Sequence, residues 1–583
     1  MKLSPALAGI AVAAFLLAAC VQTRPSAETE AANSGSSFED FVEGYFDAYF
    51  IFHPTQATAA GLHHYDTRLE PWTASRIQQR IFDLKRQENS LEVIRKERLS
   101  PDETIDAEIL LNRIRGEVLD LESIRWWRRN PLMYAVIPGA AIDGIMKRQY
   151  APAKERLRAV IARMKLIPGL LDAMRNNTAE VPTEFAELAL RVTRGSIPFF
   201  RETLPLWARE SAAGDAVLIN EFAAAHRNLM AALEVTAEYL HKDVLFLSQP
   251  GYSIGASAFT RKLQFEEMVD LPLDRLLAIG EANLARDLAA FADAARRVDG
   301  KSGADAMRSL AAQHPAEASL VQSAASAAEK VRQFVVDRKI ISIPSETRAK
   351  VVPTPAYLRA GGFAFMDTPG AFETTAKEAF YYITPTENDW SADRKQQHLR
   401  LFNQPVMDII TIHEAYPGHY VQFLYAKEFP TRTRKLVACM TNAEGWAHYA
   451  EQMMVEQGFG EGDPKVRLAQ LAEALVRDAR YIAAIRIHTQ GMTVEQAKRL
   501  FMEKAFLEEA NAQEEARRGV YDPMYLSYTL GKLQIYKLRE DFQKKKGPAF
   551  SLADFHGQFV RQGAIPLKLV RQLMMPGDTG PSL

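Results

Sequence analysis

Cysteine is almost absent from this chain: of 583 residues only Cys20 and Cys439 carry a thiol. A disulfide framework is therefore excluded as the main source of stability, and so is a cysteine-rich, closed structural zinc site. A charge surplus of either sign is lacking too. Lys and Arg total 71 and Asp and Glu 72, so nothing in the balance points to a nucleic-acid partner. The densest basic cluster, "RWWRRN" at 125–130, is short and reads as a helix end with two half-buried tryptophans. No fixed-period repeat is present, and no low-complexity tract follows residue 37.

What is present begins at the N-terminus. "MKLSPALAGIAVAAFLLAAC" has an early Lys2, an apolar run too short for a typical spanning helix, and small residues before Cys20. Residues 1–19 read as a secretory leader. "LAAC" resembles the bacterial lipoprotein box, in which Cys20 is lipidated and becomes the first residue of the mature chain. Residues 20–37 are polar and read as a flexible tether. Val21 offers no inner-membrane retention signal, so the expected location is the cell envelope, lipid-anchored at the outer membrane and facing the periplasm. With Cys20 modified, Cys439 stands alone in the apolar "KLVACMTN" and reads as a small buried residue. The chain is long enough to be held by its own core.

From Phe38 to residue 345 apolar residues recur at three- and four-residue spacing, as in "AKERLRAVIARMKLIPGLLDAM", which predicts a large helical scaffold. Near residue 340 the texture changes. "KIISIPS", "KVVPTP", "GGFAFMDTP" and "AFYYITPT" are short apolar runs between Pro and Gly, read as strands of a small sheet. Helical pattern then returns and persists to the end. The expected fold is mainly α, a helical scaffold around a cleft with a small β-sheet. Residues 346–583 carry the chemistry, and 38–583 is compatible with one compact unit.

"HEAYPGH", 413–419, concentrates that chemistry. Histidines four apart share a helix face because each residue turns about 100°. His413 and His419 are six apart, about 240° around a regular helix, and would diverge. Pro417 disrupts the helix and Gly418 tolerates unusual backbone, so the break can swing His419 back toward His413. A second motif, "EGWAHYAE", places Glu444, His448 and Glu451 on one helical face. Catalytic zinc sites commonly use two histidines and a carboxylate, which makes Glu444 the natural third ligand. His448 is either a ligand or a partner of the reacting oxygen, and Glu451 suits a role behind the ligands. A third motif, "YDPMYLSYTLGK", gathers Tyr521, Tyr525 and Tyr528, with Gly531 allowing close backbone approach.

Together the three motifs resemble the bacterial family catalogued as domain of unknown function 885, grouped with gluzincin-like metallopeptidases, over about residues 38–575. The resemblance implies a mostly helical fold with a deep cleft, one zinc ion per chain, and hydrolysis of a peptide or similar amide, with short peptides expected. It implies His413, His419 and Glu444 as ligands and Glu414 as general base. It gives Tyr528, with Tyr525 or His448, the oxyanion, and makes Arg517 or Arg518 a candidate for a substrate carboxylate. Where many relatives carry a further histidine after the Pro-Gly-His, this chain has Tyr420. Two other readings are a non-enzymatic envelope lipoprotein with a structural metal and an amide hydrolase acting on a non-peptide metabolite. The carboxylate beside the first ligand and the shortage of cysteine favour catalysis.

Overall fold

The computed structural model describes residues 27–299, 302–578 and 580–583. The leader at 1–19, Cys20 and the first residues of the expected tether lie outside these. The first described helix spans Ala27–Phe52, so helix begins inside the stretch read as a tether rather than at Phe38. Its alanine-rich opening, "AETEAA", favours helix where polarity alone suggested a linker.

The fold is mainly α. Helix starts follow local chemistry: at Ser100 the side chain accepts from the Glu103 amide while Glu103 reaches back to the Ser100 amide, and Pro101 opens the helix. The helix Ala153–Asn177 buries Leu157, Val160, Ile161, Met164, Ile167, Leu171 and Met174, the stripe expected of a 3.6-residue period. Among the described residues no helix is long and apolar enough to cross a membrane.

The two stretches distinguished in sequence share their interior. One apolar cluster runs from Phe38 to Met575, and a second packs Leu276 and Phe291 with Leu471, Ile482 and Tyr525. Three short strands lie over this body: β1 (Lys350–Pro353), β2 (Ala364–Asp367) and β3 (Phe380–Ile383). Their order is β1-β3-β2, with β3 parallel to β1 and antiparallel to β2. Tyr381, Tyr382 and Ile383 of the central strand are buried, whereas β2 is half-buried at an edge. "KIISIPS" forms no strand. Ile340 and Ile341 are buried there as plugs, and the Ser342 carbonyl accepts from the Tyr425 hydroxyl.

Six helices build the site: α1 (Gln404–Glu414), α2 (His419–Leu424), α3 (Met440–Glu456), α4 (Pro464–Thr489), α5 (Glu509–Tyr521) and α6 (Ser527–Lys546). Helices α3 and α6 cross with their backbones in contact. A Cβ on Gly531 would stand 1.8 Å from the Thr441 carbonyl oxygen, and one on Gly445 would stand 2.5 Å from the Gly531 Cα. This crossing brings the Glu444 turn of α3 beside the Tyr528 turn of α6. Gly531→Ala must force the helices apart, so a loss of roughly 3 kcal/mol is expected, the upper end for an overpacked core. Gly169→Ala, where nothing lies within 4 Å, is the control and is expected to be neutral or mildly stabilising. Equal urea midpoints for the two variants would refute the crossing as a stability determinant.

Candidate metal centre

Helix α1 ends at Glu414, where the break begins. Gly418 donates its amide to the Ile412 carbonyl at 3.0 Å, a wider turn than the helix makes, and α2 restarts at His419. A Cβ on Gly418 would stand 1.8 Å from the His413 carbonyl oxygen, so only glycine permits this fold-back. Trp446 of α3 pins the loop by donating its indole N–H to the Pro417 carbonyl at 2.9 Å.

The fold-back delivers the convergence that the spacing required. The His413 and His419 rings stand perpendicular, 4.9 Å between centroids. Their Nε2 atoms lie 3.3 and 3.2 Å from Oε2 of Glu444 on α3. One donor atom from each of the three residues falls within 4.8 Å of the others. Glu444 Oε2 is buried and makes no hydrogen bond. An unsatisfied carboxylate oxygen facing two imidazole nitrogens is costly unless a cation lies among them. Two imidazoles and a carboxylate suit zinc and leave a fourth position open.

The electrostatics run the same way. Burial would lower the His413 imidazole, but the carboxylates of Glu444 and Glu451 beside it outweigh burial and raise the pKa to about 9. Burial would raise Glu444, yet His419 and His413 hold its carboxyl well below the usual range. The centre thus attracts positive charge.

Glu451 supports His413 from behind. Its Oε1 accepts from His413 Nδ1 at 2.7 Å, which turns His413 Nε2 toward Glu444. Arg477 of α4 stands 3.4 Å from the same oxygen, and His448 Nδ1 donates to Oε2 at 3.1 Å. His448, offered in sequence as a ligand or an oxyanion partner, is fully buried behind Glu451 and does not line the cavity. Burial and the nearby Lys532 lower its pKa to about 3, so it is a neutral donor to Glu451.

His413, His419 and Glu444 face a cavity of about 630 Å³. Glu414 lines it beside them, and burial, partly offset by His413 and His419, raises its carboxyl above the ordinary value. Tyr528 lines it too, with its ring 6.0 Å from that of His413 and nearly parallel. The Tyr528 hydroxyl accepts from Arg518 Nη2 at 2.9 Å, which leaves its own proton free to donate. Burial raises the phenol above its usual value despite Arg518, so it stays protonated. Residues 362–366, leading into and along edge strand β2, form another wall. Tyr521 and Arg518 reach the cavity, but Tyr525 and Arg517 do not. Tyr525 is packed against Gly519, and Arg517 turns outward to Glu187 and Glu514.

Sequence reasoning missed α4. Glu473, Arg477, Arg480 and, from α5, Glu515 line the cavity. The available signal was a set of charges inside the otherwise apolar "LAEALVRDARYIAAI", where buried ions demand partners.

With this geometry in place, comparison with known proteins is informative about kinship. No curated protein matches the chain. The structure of a candidate lipoprotein of unknown function from Shewanella oneidensis is similar over 92% of this chain and 99% of its own, with 26% identity and a TM-score of 0.74. That of another candidate lipoprotein, from Colwellia psychrerythraea, is similar over 93% of this chain and 98% of its own. At 17% identity and a TM-score of 0.77, the latter speaks for the fold alone. Residues 54–574 match the family described as bacterial protein of unknown function (DUF885), and the chain belongs to that family.

Proposed function

We propose that this protein is a zinc-dependent hydrolase of peptide or similar amide bonds, acting on short peptides in the bacterial cell envelope. The observation that carries the reading is the convergence of His413, His419 and Glu444 on one cavity wall with Glu414 beside them and Glu444 Oε2 left without a hydrogen bond. A zinc ion held there supplies Lewis acidity toward a scissile carbonyl and a water. Glu414, buried and raised in pKa, takes a proton from that water onto a carboxylate oxygen and passes it to the departing amine. Tyr528 donates its hydroxyl proton to the oxygen that gains charge. Edge strand β2 offers unpaired backbone groups to an extended peptide, and the half-enclosed cavity limits access by folded proteins. An anchor at Cys20, which the lipoprotein-like leader and the description of the Shewanella oneidensis structure support, would hold this activity at a membrane surface.

The test combines metal analysis with peptide-library profiling of purified protein, before and after chelation. One zinc per chain and cleavage that is lost on chelation and restored by zinc are expected. Glu444→Gln should lower zinc content sharply, because it removes a charged ligand while keeping shape. Full zinc occupancy in that variant, or cleavage indifferent to chelation, would refute the assignment.

A further inference from the structure

Two arginines of the cavity are placed for a task that hydrolysis itself does not require. Arg480 of α4 and Arg518 of α5 both line the wall, with their guanidinium carbons 4.8 and 5.5 Å from the Tyr528 ring centroid. That ring stacks on His413, so both cations stand one ring away from the ligand set.

Each guanidinium is fixed from one side. Arg480 donates through Nε and Nη2 to the two oxygens of Glu515, both at 2.7 Å. Arg518 donates through Nε and Nη2 to Asp522 at 3.3 and 3.2 Å, and through Nη2 to Tyr528. In both residues Nη1 makes no hydrogen bond among the described residues and is not sealed from solvent. Each Nη1 carries two N–H groups. The cavity thus offers four unspent donors on two rigidly held cations beside the reacting position. Charge-assisted hydrogen bonds from donors of this kind suit a carboxylate.

We infer that Arg480 and Arg518 form a carboxylate-binding subsite that selects peptides bearing a carboxylate within a residue or two of the scissile bond. Consecutive Cα atoms are about 3.8 Å apart, so a group held one ring from the ligands sits that close to the bond. The free C-terminus of a short peptide meets the requirement, which makes the chemistry that of an enzyme trimming peptides from the C-terminal end. An acidic side chain next to the bond is the other source of the same chemistry. The inference rests on the peptidase reading of the cavity, and binding rather than turnover is therefore measured.

Zinc-loaded Glu414→Gln protein is titrated calorimetrically with three probes: acetyl-trialanine with a free carboxylate, its C-terminal amide, and an amide with Glu as the last residue. The free acid should bind about tenfold to a hundredfold more tightly than the amide, the span of a charged hydrogen bond. Adding Arg518→Gln should bring acid and amide to within about twofold of each other, weakening the acid far more than the amide. Tightening by the glutamyl amide assigns the carboxylate to a side chain, and no tightening assigns it to the C-terminus; either supports the subsite. All three probes binding within twofold of one another, absence of binding by all three, or equal weakening of the carboxylate-bearing probes and the plain amide by Arg518→Gln overturns it. Should Arg518→Gln not fold, Arg480→Gln with Glu515→Gln, which removes the buried pair without stranding a charge, makes the same comparison. Failure of the peptidase reading is a separate result: zinc-loaded wild-type protein cleaves none of the peptides although the Glu414→Gln protein prefers the acid.

Discussion

Glu414→Gln is expected to fold, to keep its zinc and to lose hydrolysis by roughly 10²–10⁴-fold, the span of a missing general base. The side chain is not among the three residues whose donor atoms converge, and it lines the cavity beside them. Glutamine keeps its size and removes its basicity. The environment suits a base: burial raises the carboxyl, while His413 and His419 restrain the shift. His413→Ala should behave differently, losing zinc and activity together, because it removes a donor and leaves Glu444 and Glu451 without their shared partner. The two variants are needed together, since lost activity alone is equally the mark of a lost fold. Thermal melts and zinc content separate these cases. A folded, zinc-loaded and fully active Glu414→Gln protein would sink the mechanism.

Much of this centre was legible in sequence because its parts are local. The six-residue spacing of His413 and His419 demanded a helix break, and Pro417-Gly418 supplied it within the same turn. Glu444 and Glu451 share a face by arithmetic on one helix. Gly531 signalled a close approach, though its partner, Gly445, is 86 positions earlier (531 − 445) and no local pattern names it. Three of the four short runs became strands, since alternation and Pro-Gly punctuation act over a few residues. What was not legible depends on which distant faces meet. Arg477 and Arg480 join the site because α4 packs against α1 and α3, a tertiary fact. His448 occupies the face shared by Glu444 and Glu451, yet it faces the buried Lys532 instead of the cavity. Face-sharing on a helix fixes direction within about 40°; whether that direction is cavity or core is decided by the neighbours.

Glu451→Gln should have the largest effect on stability, although Glu451 does not line the cavity. Its carboxylate is fully buried and is shared by His413, His448 and Arg477. Burial would raise its pKa, but Arg477, His448 and His413 outweigh this and hold it well below the carboxylate range. Glutamine retains one acceptor oxygen and sets an amide N–H₂ against a neighbouring donor, while Arg477 keeps Glu473 as its one acid partner among the described residues. Breaking a buried ionic cluster by neutralising one member typically costs about 3–5 kcal/mol, and loosening the partner of a ligating histidine typically weakens metal binding about 10–100-fold. Both losses are expected here: the first in urea denaturation of metal-free protein, the second in zinc competition against a chelator. The sign with pH follows from the depressed pKa. The advantage of wild type over Glu451→Gln is fully present above the usual carboxylate range and shrinks as pH falls toward the folded-state value. Glu451→Asp shortens the reach without removing charge, so it should recover part of the stability and less of the zinc affinity, because the orientation of His413 depends on distance. Should Glu451→Gln match wild type in both measurements at neutral pH, the cluster behind His413 would be incidental, and the orientation of the first histidine would have to come from the helix break alone.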